Sequence, residues 1–279
     1  MKTETTLVGI RARVAELRGD GARIALVPTM GALHEGHLAL VDAAKKVADS
    51  VIVSIFVNPL QFGPSEDFAR YPRTLDADAT RLRAHGASVL FAPEVTEMYP
   101  DGSRTRVEPP PFAGMFEGTV RPGHFSGVLT VVAKLFNLVS PDLAFFGRKD
   151  LQQLAVIRTM VTDLNVPIEI VAIDTIRERD GLALSSRNRY LDDQGRRRAT
   201  RIRAALLAAK TAFDGGVTDP SALEHAGGEV LAEDGALDVD YFNVVREIDF
   251  ARPVVVSAGD SIVTAVRVGG TRLIDNIIL

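Results

Sequence analysis

Residues 23–37 read RIALVPTMGALHEGH, and this stretch decides the fold because it joins a strand, a loop and a helix. The apolar run Arg23–Pro28 predicts a buried strand, and a loop that contains Gly31 follows it. Apolar residues recur at helical spacing over Gly36–Ala48, which predicts a helix that begins near Glu35. A strand followed closely by a helix is the repeating unit of a parallel sheet.

The same alternation continues to residue 173. Further strands are predicted at Val51–Val57, Ser88–Phe91, Leu143–Phe146 and Ile168–Ile173. Further helices are predicted at Leu75–His85, with Thr74 as its cap and Gly86 at its end, at Ser126–Val139 and at Lys149–Asp163. We therefore predict an α/β fold, a Rossmann-like doubly wound parallel sheet, in which ligands bind at the carboxyl ends of the strands.

A second, smaller domain is predicted after the sheet. The polar segment Asp174–Tyr190 breaks the alternation and forms the predicted boundary. Helices are predicted within Asp192–Ala232, followed by strands around Val239–Val245, Ser261–Val268 and Thr271–Ile278. This order favours a C-terminal α+β domain, so we predict domains of residues 1–175 and 176–279.

Composition limits the possible functions. The 279 residues include 32 Lys and Arg against 36 Asp and Glu, and the net charge of −4 gives no basic surface for nucleic acid. The chain has no cysteine, which excludes thiol nucleophiles and fits a reducing cytoplasm. The N-terminal residues MKTETTLVGI do not resemble a signal peptide, and no apolar run approaches the length of a membrane span. We expect a cytoplasmic protein with no membrane partner.

His34 and His37 are the first candidate site residues. They are three residues apart, so a helical turn places both imidazoles on one face, beside the unpaired N–H groups of a helix N-terminus. Gly36 lets a phosphate approach the backbone closely. Capping or core roles are the alternative for each histidine. Zinc is disfavoured because no third ligand is near, and the common P-loop and dinucleotide motifs are absent.

Three later segments also carry polar groups at predicted strand ends or beyond them. FVNPLQFG contains Gln61, which can donate and accept but would by default be a solvated loop residue. FFGRKDLQQ offers Lys149 for phosphates, Asp150 for ribose hydroxyls, and Gln153 one helical turn beyond Asp150. LSSRN, residues 184–188, combines two hydroxyls with an Arg that can bind phosphate oxygens, although such a linker is usually just solvated.

PTMGALHEGH resembles the signature of the pantothenate synthetase family, within the His-x-Gly-His nucleotidyltransferases. Asn58-Pro-x-Gln61, Gly147-x-Lys149-Asp150 and Arg121-Pro-Gly-His124-Phe also match this family. The resemblance covers most of residues 24–190. It implies that ATP activates pantoate as an adenylate, that β-alanine then attacks, and that Mg²⁺ leaves with pyrophosphate. It also implies a homodimer, a nucleotide- and pantoate-binding first domain, and a second domain that acts as a lid.

The resemblance assigns roles to individual residues. Those expected to bind ATP are Met30, Gly31, Ala32, Leu33, His34, Glu35, Gly36, His37, Gly147, Arg148, Lys149, Asp150, Ile176, Leu184, Ser185, Ser186 and Arg187. The expected catalytic residues are His37, His34, Lys149 and Arg187, while Gln61 and Gln153 are expected to bind pantoate. Asn58, Glu117, Arg121 and His124 are expected to contribute less directly. The family more often has Glu at position 148 and Met at position 184. No protein-bound metal is expected.

Two alternatives stay open at this point. The chain could be another His-x-Gly-His transferase that moves a nucleotide onto an anionic substrate, which would need a second basic pocket. It could also be an ATP-binding module without catalysis, which would not need Gln61 and Gln153. Paired glutamines are better suited to a small hydroxy acid than to an anionic second substrate.

Overall fold

The computed structural model describes residues 1–64, 66 and 68–279. It divides into two compact units. Unit 1 comprises Met1–Gly147 and Val156–Ile173, and unit 2 comprises Arg148–Ala155 and Asp174–Leu279. The division therefore falls near the predicted boundary at residue 175, but it also assigns the segment that contains Lys149 to unit 2.

Unit 1 is built on parallel strands linked by helices. Its strands are β1 (Lys2–Glu4), β2 (Ile24–Thr29), β3 (Ser50–Ile55), β4 (Val89–Phe91), β5 (Leu143–Gly147) and β6 (Glu169–Ile173). Its helices are α1 (Leu7–Gly19), α2 (Glu35–Lys45), α3 (Leu75–Ala84), α4 (Val95–Met98), α5 (Glu117–Val120), α6 (His124–Val139) and α7 (Leu151–Asp163), of which the first turn lies in unit 2.

The described strands of unit 1 form one parallel sheet in the order β1-β4-β3-β2-β5-β6. β2 lies at the centre and pairs with β3 on one side and β5 on the other. Its residues Ile24–Val27 are fully buried, because helices cover a parallel sheet on both faces. The predicted α/β class and parallel sheet are confirmed.

One core cluster packs α2 and α3 against the sheet. It contains alternating residues of β2 and β3 together with the apolar stripe of α2 (Ala25, Val27, Val51, Val53, Leu38, Val41 and Ala44). A buried strand followed by an amphipathic helix thus produces the packing that the 23–48 pattern predicts. This packing fixes where the loop between β2 and α2 lies.

Unit 2 is the smaller α+β part. It contains α8 (Asp193–Asp214) and α9 (Pro220–Ala232), followed by β7 (Leu237–Val245), β8 (Ser261–Val268) and β9 (Thr271–Ile278), which form an antiparallel sheet. Buried residues of α8, including Ile202 and Leu206, pack with residues of this sheet in two clusters. The predicted helices and strands after residue 190 are confirmed.

Three local features differ from the sequence expectations. β1 and α1 were not predicted, because β1 has only three residues and α1 buries only Ile10 and Val14 along its length. Thr74 precedes α3 as predicted, but its side chain makes no capping bond. Its hydroxyl donates instead to Asp78 Oδ2 at 3.1 Å. Within the described residues, no helix is both long enough and apolar enough to cross a bilayer.

Candidate active site

The loop Met30–Leu33 follows the carboxyl end of β2 and leads into α2. The chain then continues to β3 on one side of β2, whereas β5 pairs with β2 on the other side. In open parallel sheets, the crevice outside such a central strand is the preferred place for a ligand. Residues 30–37, here called the histidine loop, therefore follow the carboxyl end of the central strand, where the sequence predicted a ligand site.

Both imidazoles of this loop are attached to the first turn of α2 through Nδ1. His34 is the residue that caps the helix, and its Nδ1 accepts from the Gly36 N–H at 3.2 Å. Nδ1 of His37 accepts from the backbone N–H of His34 at 3.3 Å, and the two ring centroids are 4.1 Å apart. The capping role considered as an alternative is therefore present. It does not exclude phosphate binding, because a ring that accepts at Nδ1 carries its proton on Nε2.

Gln61 lies in a buried amide network beyond the carboxyl end of β3. Asn58, only 1% exposed, donates through Nδ2 to Gln61 Oε1 and to the Gly127 carbonyl, at 3.0 Å each. Its Oδ1 accepts from the Tyr99 hydroxyl at 3.0 Å. Burial raises the pKa of Tyr99 to about 12, so this hydroxyl stays protonated and donates. These bonds fix the orientation of both amides, and the default expectation of a solvated loop Gln is wrong.

Gln61 also contacts the histidine loop. Its Nε2 lies 3.2 Å from the sulfur of Met30, the first residue of that loop. Because Asn58 occupies Oε1 of Gln61, the Nε2 end is the one that faces Met30. The candidate substrate residue and the candidate ATP loop therefore adjoin each other within unit 1.

Arg121 and His124 bind the backbone carbonyl of Gln61, at 3.3 and 2.8 Å. Since a carbonyl only accepts, Nδ1 of His124 carries the proton and Nε2 accepts from Arg121 at 3.0 Å. Burial, reinforced by the charge of Arg121, lowers the pKa of His124 to about 4, so the ring is neutral at physiological pH. His124 thus supports the Gln61 backbone and does not supply a proton there.

Arg121 is itself held by an ion pair. Its Nε and Nη2 donate to the two carboxylate oxygens of Glu66, at 2.7 Å each. Burial alone would raise the pKa of Glu66, but the hydrogen bonds and charge of Arg121 outweigh it and lower that pKa. Glu117, the fourth residue expected to contribute less directly, is buried at the start of α5.

In unit 2, residues Arg148–Asp150 form a 3₁₀ turn. Asn276 of β9, itself only 6% exposed, donates through Nδ2 to the carbonyls of Arg148 and Lys149, at 2.9 Å each. The guanidinium of Arg148 donates to Glu247 at 3.0 Å, and Lys149 Nζ lies 3.8 Å from Asp150 Oδ1. The backbone that carries Lys149 is therefore fixed by the last strand of the chain. Gln153 follows one turn later, in α7.

The segment 176–188 of unit 2 is also ordered by its own bonds. The Leu184 N–H donates to the Ile176 carbonyl at 3.0 Å, which joins two of the residues expected to bind ATP. The Ser185 hydroxyl accepts from the Arg187 N–H at 3.2 Å and begins a 3₁₀ turn over Ser186–Tyr190. The segment, for which a solvated linker was the alternative, therefore has a structure of its own.

Direct contacts thus join Met30, Asn58, Gln61, Arg121 and His124 within unit 1. The sequence did not single out the residues that hold these groups, namely Glu66, Tyr99 and Gly127, nor Asn276, which holds the Lys149 backbone in unit 2. Each acts on a segment far away in the chain, so no local spacing could indicate it. Within the residues that the structure describes, no cluster of three or more His, Asp or Glu is arranged to hold a metal ion.

Comparison with known proteins identifies a family. The model of the pantoate–β-alanine ligase family matches residues 2–278. Pantothenate synthetase of Mycolicibacterium smegmatis is 55% identical over 269 residues, which cover 96% of this chain and 84% of that protein.

Solved structures agree with this match. A crystal structure of pantothenate synthetase from Thermus thermophilus superposes with a TM-score of 0.94 at 46% identity and covers 99% of both chains. Pantoate–β-alanine ligase from Francisella tularensis, crystallised in complex with β-γ ATP and β-alanine, superposes with a TM-score of 0.82 at 34% identity. That match covers 100% of this chain and 97% of the other.

Proposed function

The chain belongs to the pantoate–β-alanine ligase family and joins pantoate to β-alanine, and we propose that it does so through a pantoyl-adenylate, with ATP converted to AMP and pyrophosphate. One observation carries this proposal most directly. Two imidazoles are held through Nδ1 at the start of α2, and the buried amide of Gln61 adjoins the same loop. A nucleotide site beside a site for a small hydroxy acid is what adenylate formation requires.

We assign the loop of residues 30–37 to ATP. Backbone N–H groups at the start of α2 and the Nε2–H groups of His34 and His37 suit phosphate oxygens and the charge that grows on departing pyrophosphate. Lys149, Ser185, Ser186 and Arg187 are proposed to bind the phosphates as well. Asp150 and Gly147 are proposed to bind the ribose, and Ile176 the adenine. Arg148 and Leu184 stay in the ATP-binding set as predictions.

We assign Gln61 and Gln153 to pantoate. A glutamine can donate to a carboxylate oxygen and accept from a hydroxyl, which are the two polar groups of a hydroxy acid. Asn58 holds the Gln61 amide, and Arg121 and His124 hold its backbone, so these residues act on pantoate through Gln61. His124, which is buried and has a low pKa, is thus proposed to have a structural role beside the pantoate site.

The proposed reaction has two steps. A carboxylate oxygen of pantoate bonds to the α-phosphorus of ATP, and the bond to pyrophosphate breaks with its electron pair. The free amine of β-alanine then attacks the acyl carbon, AMP leaves with the electron pair of the C–O bond, and the nitrogen loses a proton. The first step needs alignment and charge stabilisation more than covalent help from the protein. Coverage by residues 184–188 is proposed to exclude water from the adenylate.

Mg²⁺ is proposed to arrive with ATP. The start of α2 carries imidazole nitrogens and backbone N–H donors, which suit phosphate oxygens, and its one carboxylate, Glu35, lies 3.7 Å from Arg81, whereas Mg²⁺ prefers a set of oxygen ligands. We therefore propose that Mg²⁺ is held by the phosphates and not by ligands from the protein. A homodimer, a cytoplasmic location and a lid role for residues 176–279 are predictions that follow from the family resemblance.

Isotope transfer tests the proposal. Pantoate labelled with ¹⁸O in its carboxylate is incubated with the protein, ATP, Mg²⁺ and β-alanine, and AMP is analysed by mass spectrometry. We expect one ¹⁸O atom in each AMP, because the bridging oxygen of the adenylate leaves with the phosphorus. Reactions without pantoate should release no AMP, and reactions without β-alanine should stop at one equivalent of pyrophosphate. Unlabelled AMP would contradict the adenylate route, and AMP release without pantoate would favour a different transferase.

A further inference from the structure

Asp78 is a buried carboxylate that the reaction does not use directly. It lies on α3 and is 2% exposed. Its Oδ2 accepts from the Ala32 N–H and its Oδ1 from the Leu33 N–H, at 2.9 Å each. The Thr74 hydroxyl also donates to Oδ2, at 3.1 Å. Both oxygens are thus occupied by donors, and two of these donors belong to the histidine loop.

The loop has a backbone that needs such support. Gly31 and Ala32 have φ values of +84° and +51°, in the left-handed region. Glycine adopts this region freely, but a residue with a side chain disfavours it. The two consecutive N–H groups at Ala32 and Leu33 point to one carboxylate because of this turn. On the other side, Thr29 Oγ1 accepts from the Gly31 N–H at 3.2 Å.

The position of the imidazoles depends on this turn. His34 follows Leu33 directly, and both rings are attached to the first turn of α2 by their Nδ1 bonds. A shift of the loop relative to β2 would therefore move both Nε2 donors together. The carboxylate holds the loop from α3, 44 residues away in sequence from His34.

We propose that Asp78 is a positioning residue for adenylate formation, which holds the Gly31–Leu33 turn so that His34 and His37 meet the ATP phosphates. This inference rests on the proposed function, because it assigns Asp78 to the ATP half of the reaction. A carboxylate suits the role since it offers two acceptor oxygens and no donor. Asparagine has the same size, but it offers one acceptor and would face the second loop N–H with its own NH₂ group.

The Asp78→Asn variant tests the role. Wild-type protein is assayed first for AMP release that depends on pantoate, and the variant is then compared in rapid mixing with ATP and pantoate. A displacement near 1 Å at a reacting centre costs roughly 100-fold in rate, so we expect a loss of that order in adenylate formation. The KM for pantoate should change much less, because Gln61 is held by Asn58.

Imidazole NMR supplies a readout that needs no substrate. With ¹⁵N-labelled histidine, the ring signals of His34 and His37 should shift in Asp78→Asn, while those of exposed His225 stay fixed. Ile10→Ala is the matched control, since Ile10 of α1 is fully buried in unit 1 and lies outside the core cluster that contains Leu33. It should lower the urea midpoint through a cavity, yet keep the wild-type rate and the wild-type His34 and His37 signals.

Four outcomes decide the matter. Slow adenylate formation with shifted imidazole signals supports the positioning role. A folded Asp78→Asn protein with a lower urea midpoint but normal rate and signals overturns it and leaves Asp78 a stabilising residue only.

If Asp78→Asn does not fold, Thr74→Val decides in its place. This variant removes one donor to Oδ2, and it must shift the same signals and slow the same step, or the inference fails. A wild-type protein without pantoate-dependent AMP release would contradict the proposed function, and the NMR comparison would still test the turn.

Discussion

Gly127 of α6 should be required for pantoate binding because it contacts the turn that carries Gln61. A Cβ atom built at Gly127 would lie 2.2 Å from the Leu60 carbonyl oxygen and 2.6 Å from the Gln61 nitrogen. The same glycine accepts a hydrogen bond from Asn58 through its carbonyl. The Gly127→Ala substitution therefore forces α6 and the Gln61 turn apart.

The size of the displacement follows from these distances. A carbon and a carbonyl oxygen approach to about 3.3 Å in favourable contacts, so the backbones must separate by about 1 Å. A misplacement of that size costs roughly 100-fold in rate, or about 2.7 kcal/mol in the activation free energy. Alanine stabilises a helix by about 1 kcal/mol relative to glycine. A loss of activity in Gly127→Ala would therefore come from the contact with the Gln61 turn and not from a weaker helix.

Steady-state kinetics with varied pantoate, at saturating ATP and β-alanine, measures the effect. We expect kcat/KM for pantoate to fall roughly 100-fold, with a much smaller change for ATP. Gly19→Ala is the control, because Gly19 ends α1 and a Cβ atom there would meet nothing within 4 Å. A folded Gly127→Ala enzyme with wild-type pantoate kinetics would refute the assignment of Gln61 to pantoate or the rigidity of its turn.

Three further predictions concern other parts of the molecule. Lys149→Ala should slow adenylate formation roughly 100- to 1,000-fold with little change in circular dichroism or Tm, since its amine lies 3.8 Å from Asp150, a contact that adds little to stability; near-normal pantothenate formation would exclude Lys149 from the mechanism. Asn276→Ala should lower kcat by up to roughly 100-fold without changing KM for pantoate, because it releases the backbone of Lys149; equal effects on both constants would argue against this. Because the folded-state pKa of His124 is about 4 and its ordinary value is 6.5, the unfolded chain binds its proton first as the pH falls. The free energy of unfolding should therefore decrease from pH 6.5 to 4, by about 3 kcal/mol in urea titrations, and His124→Asn should flatten that slope.

The sheet and the segments that surround the site could be predicted from the sequence. Buried strands such as Ile24–Thr29 are indicated by continuous apolar runs, and α2 by its stripe of spaced apolar residues. Because the carboxyl ends of parallel strands lie on one side of the sheet, the predicted alternation of strands and helices was enough to place the His34–His37 loop and the Gln61 turn on that side. The small strand β1 lacked such a signal, since three residues show no period.

The groups that hold the site could not be predicted. Thr74 illustrates the reason, because its type and place indicated a helix cap, whereas its hydroxyl binds Asp78 in the folded chain. In the sequence, Asp78 resembles any acidic residue of a surface helix, and only the fold shows that it is buried beneath the Ala32 backbone. A capping preference is local, but a buried carboxylate binds whichever donors the tertiary structure brings to it.

The hydrogen-bonding role of a histidine also depends on the tertiary structure, as three histidines of unit 1 near the candidate site illustrate. In His34 and His37 the Nδ1 atom accepts from the backbone, whereas in His124 the Nδ1 atom donates to a carbonyl. An imidazolium would carry protons on both nitrogens, so it could not keep the two bonds that hold His34 and His37 at the start of α2. A ring that accepts at Nδ1 has Nε2–H as its donor, so in the proposed mechanism His34 and His37 meet phosphate oxygens through Nε2. In the proposed mechanism these donors act through their alignment, so a displacement of the loop by about 1 Å should cost roughly 100-fold in rate.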